Sequence, residues 1–287
     1  MIPTLLTADI IISIFPIRPR DSHKGLFGTV AMIGGATGMV GAALLAGRAA
    51  LKLGSGCVRV GLLADAAPVV DVAQPELMLL PAAAIFTTPF TVLVMGCGMG
   101  GSEAARALLA QGLQQTVPLV LDADALNLLS QNKALQAALS ARPAATVLTP
   151  HPAEAARLLG CSTQTVQTDR VAAVQRLAQQ YHCNVVLKGA DSLCATQDGR
   201  LFINTTGNAG MSTAGMGDVL AGIIAALIAQ GMRADDALLL GVHLHGAAGD
   251  ALAEQGIAIG MTATELIDAA RRVLNQWLKE KTLVFHE

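Results

Sequence analysis

Between residues 207 and 218 the chain reads Gly-Asn-Ala-Gly-Met-Ser-Thr-Ala-Gly-Met-Gly-Asp, and the glycines at 207, 210, 215 and 217 leave that stretch little with which to build a core. The next segment can build one. Val219, Leu220, Ile223, Ile224, Leu227 and Ile228 recur with the spacing of a helix that buries a face, and Gly231 supplies its C-terminal stop. The glycine run therefore opens a helix whose first N–H groups lack partners and whose positive dipole end points the same way. Such a start binds anions, phosphate above all, and makes Gly215, Met216 and Gly217 an anion nest. Asp218 falls in the first turn, where a carboxylate gains from the dipole but repels any phosphate held beside it. Either it stabilises the helix start or it is there for chemistry. A carboxylate next to a phosphoryl group can take the proton of an attacking hydroxyl.

With 287 residues, 53% of them hydrophobic and 14% charged, the chain has material for a large buried core and little charge for its surface. That balance favours a homo-oligomer. The net charge of −2 and the lack of a basic run exclude a nucleic-acid footprint. Cys57, Cys97, Cys161, Cys183 and Cys194 are scattered, odd in number and without a C-x-x-C pair, so they read as small core residues in a reducing compartment. The run Ile10-Ile11-Ile12-Ser13-Ile14-Phe15 is too short for a signal core or a membrane span and has no basic segment before it. A cytoplasmic protein without membrane contact is the expectation.

Strand-like and helical segments alternate. Residues 29–33 form a strand closed by Gly34-Gly35, Val40 to Leu53 a helix ended by Gly54, and Cys57 to Leu62 the next strand. Residues 65–90 are poorly patterned. Thr91 to Met95, Pro118 to Leu121 and Ala145 to Leu148 are strands, with helices starting at Ser102, near Ala125 and at Pro152. A helix is predicted from about Thr168 to Tyr181, then a strand over Asn184–Leu187 and a hairpin that turns at Asp198-Gly199 and returns through Leu201 to Asn204. The last of three closing helices begins with the capping-box pattern Thr262-Ala263-Thr264-Glu265. Alternation of this kind predicts an α/β fold with a mostly parallel sheet covered on both faces. No linker divides the chain, so a single domain over residues 1–287 is expected, with 1–24 as an irregular lead-in.

Ligands of open α/β sheets bind at the carboxyl ends of the strands. Unusual residues gather there: Gly34-Gly35, the glycines of 96–101, Asp122 and Asp124, His151, and Lys188-Gly189. Gly96-Cys97-Gly98-Met99-Gly100-Gly101 lacks the spacing of a dinucleotide fingerprint and has no acidic ribose reader after it, which disfavours a dehydrogenase. No G-x-x-x-x-G-K-[ST] loop is present. His151, between two prolines, is either a satisfied loop residue or a ligand. Lys188 is either a snorkelling edge lysine or a phosphate contact. Asp122 and Asp124 alternate, so on an extended segment they share a face, where they hold Mg²⁺ through water or cap the next helix.

Together these motifs closely resemble one family, the ADP/ATP-dependent NAD(P)H-hydrate dehydratases of the ribokinase-like superfamily. The resemblance runs from about Lys24 to Val273 and is carried by residues 34–42, Gln74-Pro75-Glu76, 96–100, 122–126, Thr149-Pro150-His151-Pro152-Ala153-Glu154, 187–190 and, most specifically, 207–220. The family often has proline where Ala209 and Cys97 stand; neither change removes a donor from Gly98, Gly210 or Gly217. The resemblance implies a ribokinase-like three-layer sandwich and a repair enzyme. Its substrate would be NADH or NADPH hydrated on the nicotinamide ring; a nucleotide phosphorylates the new hydroxyl and the ring nitrogen expels phosphate. By the same resemblance Asp218 would be the base. Ala42, Gly100, His151 and Asp218 would line the hydrate pocket, while Lys188, Gly189, Ala190, Asp191, Ser192 and Gly217 would hold the nucleotide. ADP rather than ATP, Mg²⁺ with unassigned ligands, and a homotetramer are implied too. The 24 leading residues are too few for the epimerase domain fused to many relatives. The rival readings are a kinase of a vitamin precursor of hydroxymethylpyrimidine or hydroxyethylthiazole type, and a nucleotide sensor without catalysis.

Overall fold

The computed structural model describes residues 2–7, 10, 15 and 18–284, with side chains up to 280. Most of the apolar run 10–15 and part of the lead-in 1–24 lie outside the described residues. Along the chain come β1 (Thr4–Leu5), β2 (Thr29–Gly34), α1 (Val40–Lys52), β3 (Cys57–Leu62), β4 (Met78–Pro81), β5 (Val92–Met95), α2 (Glu103–Leu113) and β6 (Leu119–Leu121). Next are α3 (Ala123–Ser130), α4 (Lys133–Ser140), β7 (Thr146–Leu148), α5 (Pro152–Leu159), α6 (Thr163–Thr168), α7 (Arg170–Tyr181), β8 (Asn184–Leu187), β9 (Ser192–Ala195) and β10 (Leu201–Asn204). α8 (Met216–Ala229), α9 (Ala234–Glu254) and α10 (Ala263–Val284) close the chain.

The strands form one sheet of ten among the described residues, ordered β1-β10-β9-β8-β7-β6-β5-β2-β3-β4. Every pairing is parallel except those of β9, which runs antiparallel to both β8 and β10. Successive strand side chains point to opposite faces, and the two faces carry separate cores. Val30, Met32, Val92, Val94, Val120 and Val186 face the cluster that α1, α8, α9 and α10 complete. Ala31, Ile33, Leu93, Leu119, Leu148 and Val185 face the cluster completed by α2 to α7. A three-layer sandwich results. The near-unbroken apolar runs of β2, β5 and β8 are what a strand buried on both faces requires.

α8 lies deep in the first layer: Val219, Ile223, Ile224 and Leu227 are fully buried, each such side chain contributing about 1.5–3 kcal/mol. It meets α1 along a seam of small residues. A Cβ on Gly222 would stand 2.8 Å from Ala49 Cβ and inside the Ala46 carbonyl, so only glycine lets the two backbones come this close. That contact fixes where the start of α8 points.

Three expectations change. The poorly patterned 65–90 stretch contains β4, an edge strand, and a 3₁₀ segment over Ala82–Thr87. The helix expected from about Thr168 to Tyr181 starts two residues later, at Arg170, where Asp169 caps it with a bond from Ala172 N at 2.9 Å, and the short α6 precedes it. Asp122 and Asp124 do not share the face of an extended segment: α3 begins between them, at Ala123.

Candidate functional site

The loops after β2, β5, β6, β7 and β8 form one continuous rim because those strands are neighbours in the sheet, and the start of α8 is set against it. Gly215 occupies the residue before α8 with φ +91°, a left-handed conformation that places the next N–H groups outward at little cost for glycine alone. Val219 N already bonds to Gly215 O at 3.0 Å, so the N–H groups of residues 216–218 remain the open donors of the first turn. From behind, His245 on α9 holds this turn with Nε2 2.9 Å from Met216 O. Burial pushes the His245 imidazolium down to about 4, so the ring is neutral and donates from Nε2. The glycine loop itself is anchored by Asp250, which accepts from Gly207 N at 2.8 Å and from Asn208 Nδ2 at 3.0 Å.

Asp218 is half-buried and faces Cys97 and Asp122, with one ligand-type atom of each within 4.8 Å of the others. Its carboxyl is pushed up to about 7, first by burial and then by the charge of Asp122. A hydrogen bond from the Cys97 thiol and the Lys188 ammonium work the other way. Burial and the two carboxylates hold the thiol itself far above its usual value, so it is protonated and a donor. Cys97 is thus not only a small core residue, as its scattered spacing suggested.

Lys188 does not snorkel. Its Nζ lies 2.7 Å from Asp122 Oδ1, the Asp122 side chain being 2% exposed and that of Lys188 21%. Burial works to lower the ammonium, but Asp122 and Glu154 outweigh it and hold the lysine above its ordinary value. Asp124 accepts from Gly100 N at 2.8 Å and pins the 96–101 loop. His151 is an N-cap: Nδ1 accepts from Ala153 N at 3.1 Å and Glu154 N at 3.4 Å, and the buried Glu154 carboxylate in turn accepts from His151 N at 2.7 Å. Burial lowers the His151 imidazolium and raises the Glu154 carboxyl.

Of the residues expected around a hydrate, the 96–101 loop gathers three. It carries Gly100, its Gly98 backs onto Ala42, and its Cys97 faces Asp218. His151 stands beyond β6, next to Lys188, whose N–H donates to Pro150 O at 2.9 Å. A cleft of about 970 Å³ opens beside Gly100, lined also by Thr37, Asp65, Leu80, Pro81 and Met99. The expected nucleotide segment divides. Gly189, Ala190 and Asp191 form an exposed turn, braced by Ser192 Oγ on Gly189 O at 2.9 Å and by the Arg170 guanidinium on Leu187 O and Asp191 O. The Lys188 side chain turns inward, towards Gly217. Arg170, His245, Asp250 and the pairing of Asp122 with Lys188 were not legible in the sequence. Each contact joins segments far apart in the chain, and no local motif marks it.

The donors suit a resident Mg²⁺ poorly. A thiol is no ligand for a hard cation, and the Lys188 ammonium already sits on Asp122.

The NAD(P)H-hydrate dehydratase family model matches residues 30–272. An ADP-dependent (S)-NAD(P)H-hydrate dehydratase of Neisseria meningitidis is 46% identical over 93% of this chain and 91% of its own length. A bifunctional NAD(P)H-hydrate repair enzyme of Coxiella burnetii is 40% identical, and this chain spans about half of it (53%). The crystal structure of the ADP/ATP-dependent NAD(P)H-hydrate dehydratase of Bacillus subtilis, co-crystallised with ATP and Mg²⁺, superposes with a TM-score of 0.88 at 28% identity, covering 96% of this chain and 99% of that one. The ribokinase-like fold expected from the sequence is the one observed. With that fold and a family match across most of its length, the chain belongs to the NAD(P)H-hydrate dehydratase family.

Proposed function

We propose that this chain restores NADH and NADPH from their hydrates, using ADP and releasing AMP and phosphate. The observation that carries the reading is Asp218: a half-buried carboxyl, poised near neutrality, at the open first turn of α8 and beside a fixed ammonium. The terminal phosphoryl of ADP sits on the nest of Gly215, Met216 and Gly217. The ring hydroxyl attacks its phosphorus, its proton passes to Asp218, and AMP leaves. Hydroxide is a poor leaving group, but the phosphate ester departs when the ring nitrogen pushes, and loss of a ring proton restores the dihydropyridine. Ala42, Gly100 and His151 line the hydrate site in this reading; of the three only Gly100 also borders the neighbouring cleft, which has the size of a small-molecule site. The turn 189–192 takes the rest of the nucleotide, and Mg²⁺ arrives on the phosphates of ADP. The enzyme is proposed to work in the cytoplasm as a homotetramer of undivided chains. Among the described residues, no helix is long and apolar enough to cross a membrane.

The test is an assay of purified protein with hydrated NADH, Mg²⁺ and either ADP or ATP, monitored by the absorbance of the reduced nicotinamide. Asp218→Asn runs alongside and is expected to lose about 10²–10⁴-fold in turnover while a direct titration shows ADP still bound. Phosphorylation of a vitamin-precursor alcohol without hydrate repair would replace this reading with the kinase one. A variant keeping more than half the wild-type rate would place the base elsewhere.

A further inference from the structure

Asp122 stands just before α3 with an extended backbone (φ −134°, ψ 166°), the place from which an aspartate ordinarily accepts the first free N–H groups of the helix. Its side chain makes no such bond. The buried carboxylate turns instead past the end of β7 to Lys188, with Nζ to Oδ1 at 2.7 Å. The pair lies against the nest: a Cβ on Gly217 would be 3.2 Å from Lys188 Nζ and 3.3 Å from Asp122 Oδ2. A lysine side chain left alone samples many rotamers, and one held by a buried anion does not.

We propose that Asp122 is a positioning residue that acts through Lys188. It gives up the helix cap to hold the ammonium beneath the first turn of α8, where a phosphoryl group on the nest accepts one of the remaining N–H bonds. It touches neither substrate nor metal. The proposal rests on the nest being the phosphoryl site. The role comes from the two-sided contact. One oxygen fixes the ammonium, and the carboxylate also lies with Asp218 and Cys97 in one tight group. The other titratable groups whose fields meet this pair are His151 and Glu154 at α5 and His245 on α9, and Asp124 on α3 acts on the neighbouring Asp218.

The experiment is a cycle of Asp122→Asn, Lys188→Met and the double variant, read by calorimetric titration with ADP, by the pH profile of kcat/KM and by thermal melting. Asp122→Asn is expected to weaken ADP binding by about 10–100-fold, but by less than about threefold in the Lys188→Met background. It should also move the acidic limb of the profile to lower pH, because a negative charge beside Asp218 has gone. A purely structural aspartate would do neither. Equal losses in both backgrounds, or unchanged ADP affinity, would overturn the proposal. The double variant leaves no orphan charge in the interior and so guards against misfolding. Should Asp122→Asn alone fail to fold, Asp122→Glu keeps the charge but shifts it by a methylene. Weaker ADP binding with an unmoved limb then supports the proposal, and unchanged binding sinks it. ADP titration needs no hydrate, so a failure of the dehydratase reading would show separately, as a wild type that binds ADP and repairs nothing.

Discussion

On the proposed mechanism Asp218 ties catalysis to stability through one proton. Its carboxyl titrates near 7 in the folded chain, against 3.8 when unperturbed. Between those values the folded state keeps a proton that the unfolded state has shed, so stability falls as pH rises through that window and levels off above it. Asp218→Asn removes the titration. We expect the variant to melt about 2–4 °C higher than the wild type at pH 8 and to converge with it near pH 4. With Asp218 as the proposed base, kcat/KM of the wild type should climb through about 7 as the base form appears. Identical melting curves at pH 8, or a profile flat between pH 5 and 8, would mean that Asp218 is ionised across the range and that its burial is compensated elsewhere.

In the proposed reading the start of α8 is a site only because of the groups beneath it. Gly217→Ala should help the helix, since alanine is the better helix former. Yet the new methyl would stand 3.2 Å from the Lys188 ammonium and 3.3 Å from the Asp122 carboxylate, tighter than ordinary contact. The expected outcome is unchanged or raised melting temperature with turnover down at least about tenfold; a fully active variant would move the phosphoryl site off this turn. The glycine loop and the helix after it were plain in the sequence, because a local pattern of glycine, then a periodic apolar face, encodes both. The buried strands were equally plain. β4 was not: it is a short edge strand with no alternation of buried and exposed side chains. Neither was the partnership of Asp122 with Lys188. The two belong to strand ends that come together only once β7 takes its place between β6 and β8, and strand order is a property of the whole sheet. His151 was marked by its flanking prolines, but its capping bonds show only when the start of α5 is built.

At the scale of the molecule the question is what covers the outside. Two cores lie on either side of the sheet, and among the described residues the sheet ends at β1 on one side and β4 on the other. Leu5 on β1 is 49% exposed and Met78 on β4 36%, while Ile2, Val69 and Val72 near them are each about nine-tenths exposed or more. Unpaired strand edges beside bare apolar side chains invite uncontrolled association unless a defined partner takes them. With only 14% of its residues charged, the chain has little repulsion to prevent it. A closed homo-oligomer resolves the conflict, since symmetry lets one patch cover its own copy. Light scattering at micromolar concentration is therefore expected to return a multiple of the 29.4 kDa chain mass, four chains in the assembly proposed above. An interface built on apolar burial should also hold its mass at about 1 M salt, where exposed charges are screened within about 3 Å. A mass of 29.4 kDa would show that the chain keeps these edges bare, and an assembly that falls apart in salt would show that charge rather than burial joins the copies.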